Sequence, residues 1–156
     1  MRHCAAAKGV ESEMRISTKG RYALQVMLYL ANHNTGAFIP LKAISQSQGI
    51  TVKYLEQIIP PLNRAGYLHS ARGNNGGYRL ARRPEEYIVG DIIRVSEGSL
   101  APLACLEDPD NSCGRQNWCQ ARHFWAGLDQ AIRNYVDSVT LADVMSYRPE
   151  ENQERE

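Results

Sequence analysis

Residues 40–66 read PLKAISQSQGITVKYLEQIIPPLNRAG, and this stretch decides the fold. Pro40 suits the first turn of a short helix carrying Leu41 and Ile44, and Gly49 can end that helix in a left-handed turn. Thr51 then caps another helix immediately, with Tyr54, Leu55, Ile58 and Leu62 as its buried stripe and Gly66 as its stop. A short helix, a tight glycine turn and a second helix make a helix-turn-helix, whose second helix exposes Lys53, Glu56 and Gln57. Pro60 and Pro61 fall inside this second helix, where each removes a backbone donor and Pro61 disfavours helical geometry at the residue before it. A kink or early end is therefore expected near Ile59, leaving the N-terminal half to face a ligand.

Upstream, Ser17 or Thr18 caps a first helix in which Tyr22, Ala23, Val26, Met27, Leu30 and Ala31 recur at spacings of three and four. Downstream, residues 67–70 read as a strand, 71–77 as a glycine-rich loop and 78–80 as the returning strand, together a β-hairpin wing. A fourth helix is expected over residues 89–95, after which periodicity stops until residue 120. From Ala121 a long helix places Trp125, Leu128, Ile132, Tyr135, Val136 and Val139 on one face. A one-sided apolar helix of this length needs a partner, and a second copy of the chain is favoured over the chain's own core. Thr140-Leu141-Ala142-Asp143 reads as a capped start to a last short helix.

The expected architecture is thus mainly α with a small β-hairpin wing: a winged helix-turn-helix domain plus a long C-terminal dimerisation helix. Residues 1–13 read as a flexible extension or a start codon called too early, and 14–95 as the DNA-binding region. Residues 96–120 form a cysteine loop, 121–147 the dimerisation and terminal helices, and 148–156 a disordered tail.

The formal net charge of +1 conceals a strong asymmetry. Residues 14–83 hold ten Lys or Arg and one acid, Glu56, a net of +9, whereas 84–156 hold six basic and fourteen acidic residues, a net of −8. So concentrated a positive block fits a polyanionic partner, double-stranded DNA above all, with a solvated basic face as the bland alternative. Glycines in the wing loop let it approach a DNA backbone, and Arg72 can reach a minor groove or a phosphate. No stretch approaches a membrane span and no secretory signal opens the chain, so a cytoplasmic protein is expected, whose cysteines are ligands or redox groups rather than disulfides. No nucleophile–base pair, phosphate loop or paired carboxylates point to an enzyme.

Four blocks carry a more specific signal: MRISTKGRYAL at 14–24, Tyr54-Leu55-Glu56-Gln57, Arg72-Gly73 with Gly76-Gly77-Tyr78, and Trp125 with Thr140-Leu141-Ala142-Asp143. In this order they resemble the winged-helix transcriptional regulator family of the IscR, NsrR, RirA and CymR type. The resemblance implies a homodimeric repressor or activator that reads an operator of two half-sites and senses cluster status, iron, nitric oxide or cysteine supply. Position by position, it implies that Thr51, Lys53, Tyr54, Glu56 and Gln57 form the recognition surface, with Tyr54 partly in the core, and that Arg72 with Gly73 serves the wing. The side-chain chemistry agrees, since Gln can bond adenine, Glu can accept from a cytosine amino group and Lys can meet phosphate or guanine.

Cys105, Cys113 and Cys119 have seven and then five residues between them, which matches no paired C-x-x-C zinc or redox motif. They resemble instead the three-cysteine loop of the family's cluster-binding branch, and soft thiolates suit an iron–sulfur cluster. Two other readings stay open: three reduced thiols with no ligand role, as in the cysteine-sensing branch, and zinc held by the three cysteines with His123. The branch resembling the cluster-biogenesis regulator has a histidine three residues after the last cysteine, where this chain has Arg122, with His123 one residue later. The nitric-oxide-sensing branch supplies an acid from the partner's first helix, where this chain has Arg21. His123, Glu107, Asp108, Asp110 or an exogenous ligand remains for the fourth position, so incomplete ligation and a labile cluster are expected, four-iron ahead of two-iron. Two alternative functions remain: a cluster-free regulator of cysteine or sulfur metabolism, and a metal- or redox-binding interaction protein without specific DNA binding.

Overall fold

The computed structural model describes residues 16–107 and 117–147. The expectations for the 1–13 extension, the 148–156 tail, Cys113, Asp108 and Asp110 lie outside those residues.

Helix α1 (Thr18–Asn32) is capped by Ser17, whose hydroxyl accepts the Gly20 N–H at 3.3 Å. Its apolar face, Ala23, Val26, Met27, Leu30 and Ala31, is buried, while Tyr22 is only half-buried. Helix α2 (Leu41–Gln48) starts one residue later than Pro40, which caps it, and stops at Gly49 in the left-handed conformation at φ 65°. Thr51 caps α3 (Val52–Arg64) by accepting the Tyr54 N–H at 3.3 Å.

Helix α3 runs across Pro60 and Pro61 to Arg64, so of the expected kink or early end near Ile59 the early end is overturned. Leu55, Ile58, Ile59 and Leu62 are all buried, so the core holds the helix on both sides of the prolines. Burial stabilises each by about 1.5–3 kcal/mol, against about 3 kcal/mol for an interior proline. Glu56, whose carbonyl loses its donor at Pro60, is exposed to water. The helix ends as Gly66, at φ 73°, donates to Asn63 O and Tyr67 donates to Leu62 O, a Schellman closure.

Strands β1 (Leu68–Ala71) and β2 (Gly77–Leu80) pair antiparallel, Leu68 opposite Leu80 and Ala71 opposite Gly77. The pairing thus starts one residue later and extends one residue nearer the tip on each side than the sequence suggested. Ile39 adds a third short partner through two 2.9 Å backbone bonds with Tyr78, a pairing the sequence did not announce.

After a 3-10 turn at Pro84–Glu86, α4 (Val89–Glu97) extends two residues past its expected end. The long helix α5 (Ala121–Ser138) and the short α6 (Leu141–Ser146) follow. The segments before α4 and α6 are bridged at Ile88 and Thr140, with Val89 donating to Val139 O and Leu141 donating to Tyr87 O, both at 2.9 Å. One core gathers α1, α2, α3, the hairpin, Tyr87, Ile92 of α4 and Leu141 of α6. Helix α5 stands apart, with none of its residues buried in the single chain.

Candidate nucleic-acid interface and cysteine site

The turn between α2 and α3 is locked from within, because Ser45 Oγ donates to Ile50 O at 2.6 Å. Gln25 of α1 donates to Gln48 Oε1 at 3.1 Å, tying α1 to the end of α2. Tyr54 meets Tyr22 edge-on with ring centroids 5.6 Å apart, so it is partly a core residue and fixes how α3 leaves α1. Lys53, Glu56 and Gln57 are exposed on the first turns of α3, beside Thr51 and Tyr54. Five of the expected recognition residues therefore share the N-terminal half of one helix, whose partial positive charge favours anions.

Arg72 and Gly73 are exposed at the wing tip, just beyond β1, where Gly76 N–H closes a turn onto Gly73 O at 2.9 Å. Gly73 has φ 99° with open space where a side chain would project, so its backbone conformation alone demands glycine. Gly77 is required for a different reason: a Cβ there would strike the backbone of Ile39. Arg79 donates to Gly36 O at 2.6 Å and lies over the Phe38 ring at 4.6 Å, which commits it to holding the loop before α2.

The apolar stripe of α5 is only partly covered. Trp125, Leu128, Ile132 and Val136 are half-buried, while Phe124 and Tyr135 are 66% and 65% exposed. Helix α5 touches the winged-helix core through α4, where Gly90 permits close approach of Val136 and Asp137. Arg94 pairs with Asp137 at 2.7 Å and Asp91 at 3.0 Å, and the Asp137 hydrogen bond holds its guanidinium above the usual arginine range.

Cys105 lies in a 3-10 turn, Ala104–Leu106, and Cys119 two residues before α5; both are free thiols. His123 is exposed in the first turn of α5 and Glu107 is exposed after the Cys105 turn. Among the described residues no three His, Cys, Asp or Glu side chains gather closely enough to hold a metal ion, so neither His123 nor Glu107 completes a site with the two thiols. A three-donor site must draw on residues outside them, such as Cys113, or on a second chain. Two unpaired thiols at the two ends of the loop are donors of the kind an iron–sulfur cluster takes. Arg21 is exposed and lies 5.2 Å from the Tyr22 ring centroid.

Residues 16–147 match the family described as "Rrf2: Iron-dependent Transcriptional regulator". The chain belongs to the Rrf2 family. Among Rrf2-type relatives, the transcriptional regulator CymR of Bacillus subtilis is 40% identical over 86% of this chain and 91% of its own length. The solved structure of CymR, the global cysteine regulator of B. subtilis, superposes with a TM-score of 0.70, covering 86% of this chain and 98% of that one. The regulator IscR of Aliivibrio salmonicida is 36% identical over 85% of this chain and 77% of its own. The structure of T. potens IscR matches at 41% identity and a TM-score of 0.65, over 84% of this chain and 85% of that one. Rrf2 relatives are thus transcriptional regulators rather than enzymes, and this chain shares their winged-helix fold. Among the described residues no helix is long and apolar enough to cross a membrane.

Sequence reasoning missed two residues that tie distant segments of the fold together. Tyr87, 2% exposed, accepts the Ala81 and Arg82 N–H groups at 3.0 and 2.9 Å and donates to Tyr67 O at 2.8 Å. Glu97 caps the start of α1. Neither carries a local motif, since each acts on residues distant in sequence or through its hydroxyl alone.

Proposed function

We propose that this Rrf2-family regulator binds DNA as a homodimer, reading two half-sites with Thr51, Lys53, Tyr54, Glu56 and Gln57 of α3 and with Arg72 and Gly73 of the wing. The observation that carries the reading is the exposed N-terminal half of α3, presented by a locked helix-turn-helix within a block of net charge +9. Lys53 and Arg72 supply phosphate or minor-groove contacts, and Glu56 and Gln57 supply base contacts. The apolar stripe of α5 supports pairing of two chains. A mobility-shift titration across salt concentration tests the DNA interface: neutralised phosphates give a steep loss of affinity with salt, and flat binding overturns it.

Within that reading, Cys105, Cys113 and Cys119 hold an iron–sulfur cluster, four-iron ahead of two-iron. The free thiols of Cys105 and Cys119 and relatives named IscR support this. A bound cluster supplies a ligand whose gain or loss biases one loop conformation over another. The loop joins α4 to α5, so that bias reaches the helix that sets half-site spacing. The likeness to CymR, a global cysteine regulator, supports the second reading, a cluster-free regulator of cysteine or sulfur metabolism. Anaerobic purification with an absorption spectrum and an iron, sulfide and zinc count separates these: iron with sulfide supports the cluster, zinc alone supports the Cys–His123 site, and neither supports reduced thiols.

A further inference from the structure

We propose that Tyr87 is a positioning residue for DNA binding: its hydroxyl sets the pose of the wing, and with it the reach of Arg72. The role rests on the DNA interface proposed above.

A two-stranded hairpin is marginal by itself, and this one has four residue pairs and one lateral bridge, at Ile39. Its open end is where a rigid-body swing would begin. There the Tyr87 hydroxyl sits between the two strands. It donates to the carbonyl of Tyr67, just before β1, and accepts from Ala81 and Arg82, just after β2. Ala81 N–H also reaches Tyr67 O at 3.1 Å, so the strand ends and the phenol form one closed set of hydrogen bonds. The rings of Tyr67 and Tyr87 meet edge-on at 5.6 Å, and the Arg82 guanidinium lies 5.7 Å from the Tyr67 centroid. Burial holds the phenol above the ordinary tyrosine range, so the proton it donates stays in place across physiological pH.

The anchor is fixed on its other side as well. Tyr67 follows the Schellman turn that ends α3, and the Tyr87 carbonyl accepts the Leu141 N–H at the start of α6. One residue thereby ties the wing base to the end of α3 through its hydroxyl and to the segment that follows α5 through its backbone carbonyl. Removing only the hydroxyl leaves the Arg82 N–H without its acceptor, reduces the Ala81 N–H to its bond with Tyr67 O, and frees part of that carbonyl's capacity, so the base loses one of its ties.

Tyr87→Phe keeps the ring and deletes the oxygen. The test is a double-mutant cycle with Arg72→Ala, using a fluorescein-labelled duplex that the parent protein selects from a random-sequence library. In the parent, Arg72→Ala weakens binding about tenfold; in Tyr87→Phe the same change costs less than about twofold, because the wing is already misplaced. The base preference read by Glu56 and Gln57 is unchanged. A merely structural loss would lower the two affinities alike and leave the Arg72 effect equal in both backgrounds, which overturns the proposal. Amide hydrogen exchange of the unaltered protein gives a check that does not depend on the variant folding: Ala81 and Arg82 exchange with the slow amides of α4, and exchange as fast as residues 72–76 overturns the anchor. Absence of salt-dependent DNA binding by the parent removes the interface itself, a failure distinct from an additive cycle.

Discussion

Glu97, the last residue of α4, accepts the Ser17 hydroxyl at 2.5 Å and the Ser17 N–H at 3.2 Å, across 80 residues of sequence. The same carboxylate oxygen accepts the Gly20 N–H at 2.9 Å, and a Cβ at Gly20 would require that carboxylate to shift. A negative group at the end of α4 is unfavourable for α4 and favourable for the start of α1, and the three donors decide the balance. Glu97→Ala is expected to lower stability by about 1–2 kcal/mol in urea unfolding, and Glu97→Gln by less. Equal midpoints for the parent and Glu97→Ala would show that the cap contributes nothing.

On α3, if it reads bases as proposed, Glu56→Ala and Gln57→Ala are expected to change base preference by about 1–3 kcal/mol at the positions they contact. Lys53→Ala should instead weaken all duplexes alike and flatten the salt dependence by about one phosphate contact. Selection from a duplex library with each variant measures both. Identical selected sites and salt slopes for all three would move the interface elsewhere.

Leu128→Glu with Ile132→Glu places two charges on the half-covered stripe of α5 and is expected to yield monomers in sedimentation. The helix-turn-helix core contains neither residue, so circular dichroism should stay close to the parent spectrum. A dimer that survives both substitutions does not use this face.

Single Cys105→Ala, Cys113→Ala and Cys119→Ala variants, reconstituted anaerobically, are each expected to lose most iron and sulfide. Equal content in all variants would remove the ligand assignment. DNA affinity that is the same with and without iron would keep the site and remove the switch.

Acid should weaken the start of α6. Asp143 accepts the Thr140 N–H at 2.8 Å and the Thr140 hydroxyl at 2.7 Å, and these bonds hold its carboxyl below the usual value. Because the folded pKa is depressed, the stabilisation is present above the unfolded value of about 3.9 and is lost as pH falls through the lower folded value. Glu86 acts with the same sign through the Arg83 N–H. Asp143→Asn is expected to make thermal stability fall less steeply below about pH 4. An unchanged slope would mean that the capping box breaks before global unfolding.

Helix starts and stops were legible wherever a neighbouring residue sets them. Ser17, Thr51 and Thr140 cap, Gly49 and Gly66 stop, and the three-and-four spacing of α1 is buried in the structure as the spacing requires. These rules act within one turn of chain, so a linear reading reaches them. The exposure of Lys53, Glu56 and Gln57 was legible for the same reason, as the polar side of a helix whose other side is apolar.

What the sequence by itself determined is therefore the order of elements, the polarity of each helix and the charge of the basic half. Only the tertiary structure decided that α3 survives Pro60 and Pro61, because the buried residues on either side of them outweigh the lost backbone bonds. It alone brought Ile39 to Tyr78, Tyr87 to the strand ends and Glu97 to Ser17. A local pattern encodes which face a residue shows, but hydrogen bonds between distant residues depend on how packed elements orient their termini, and that orientation exists only once the core has formed.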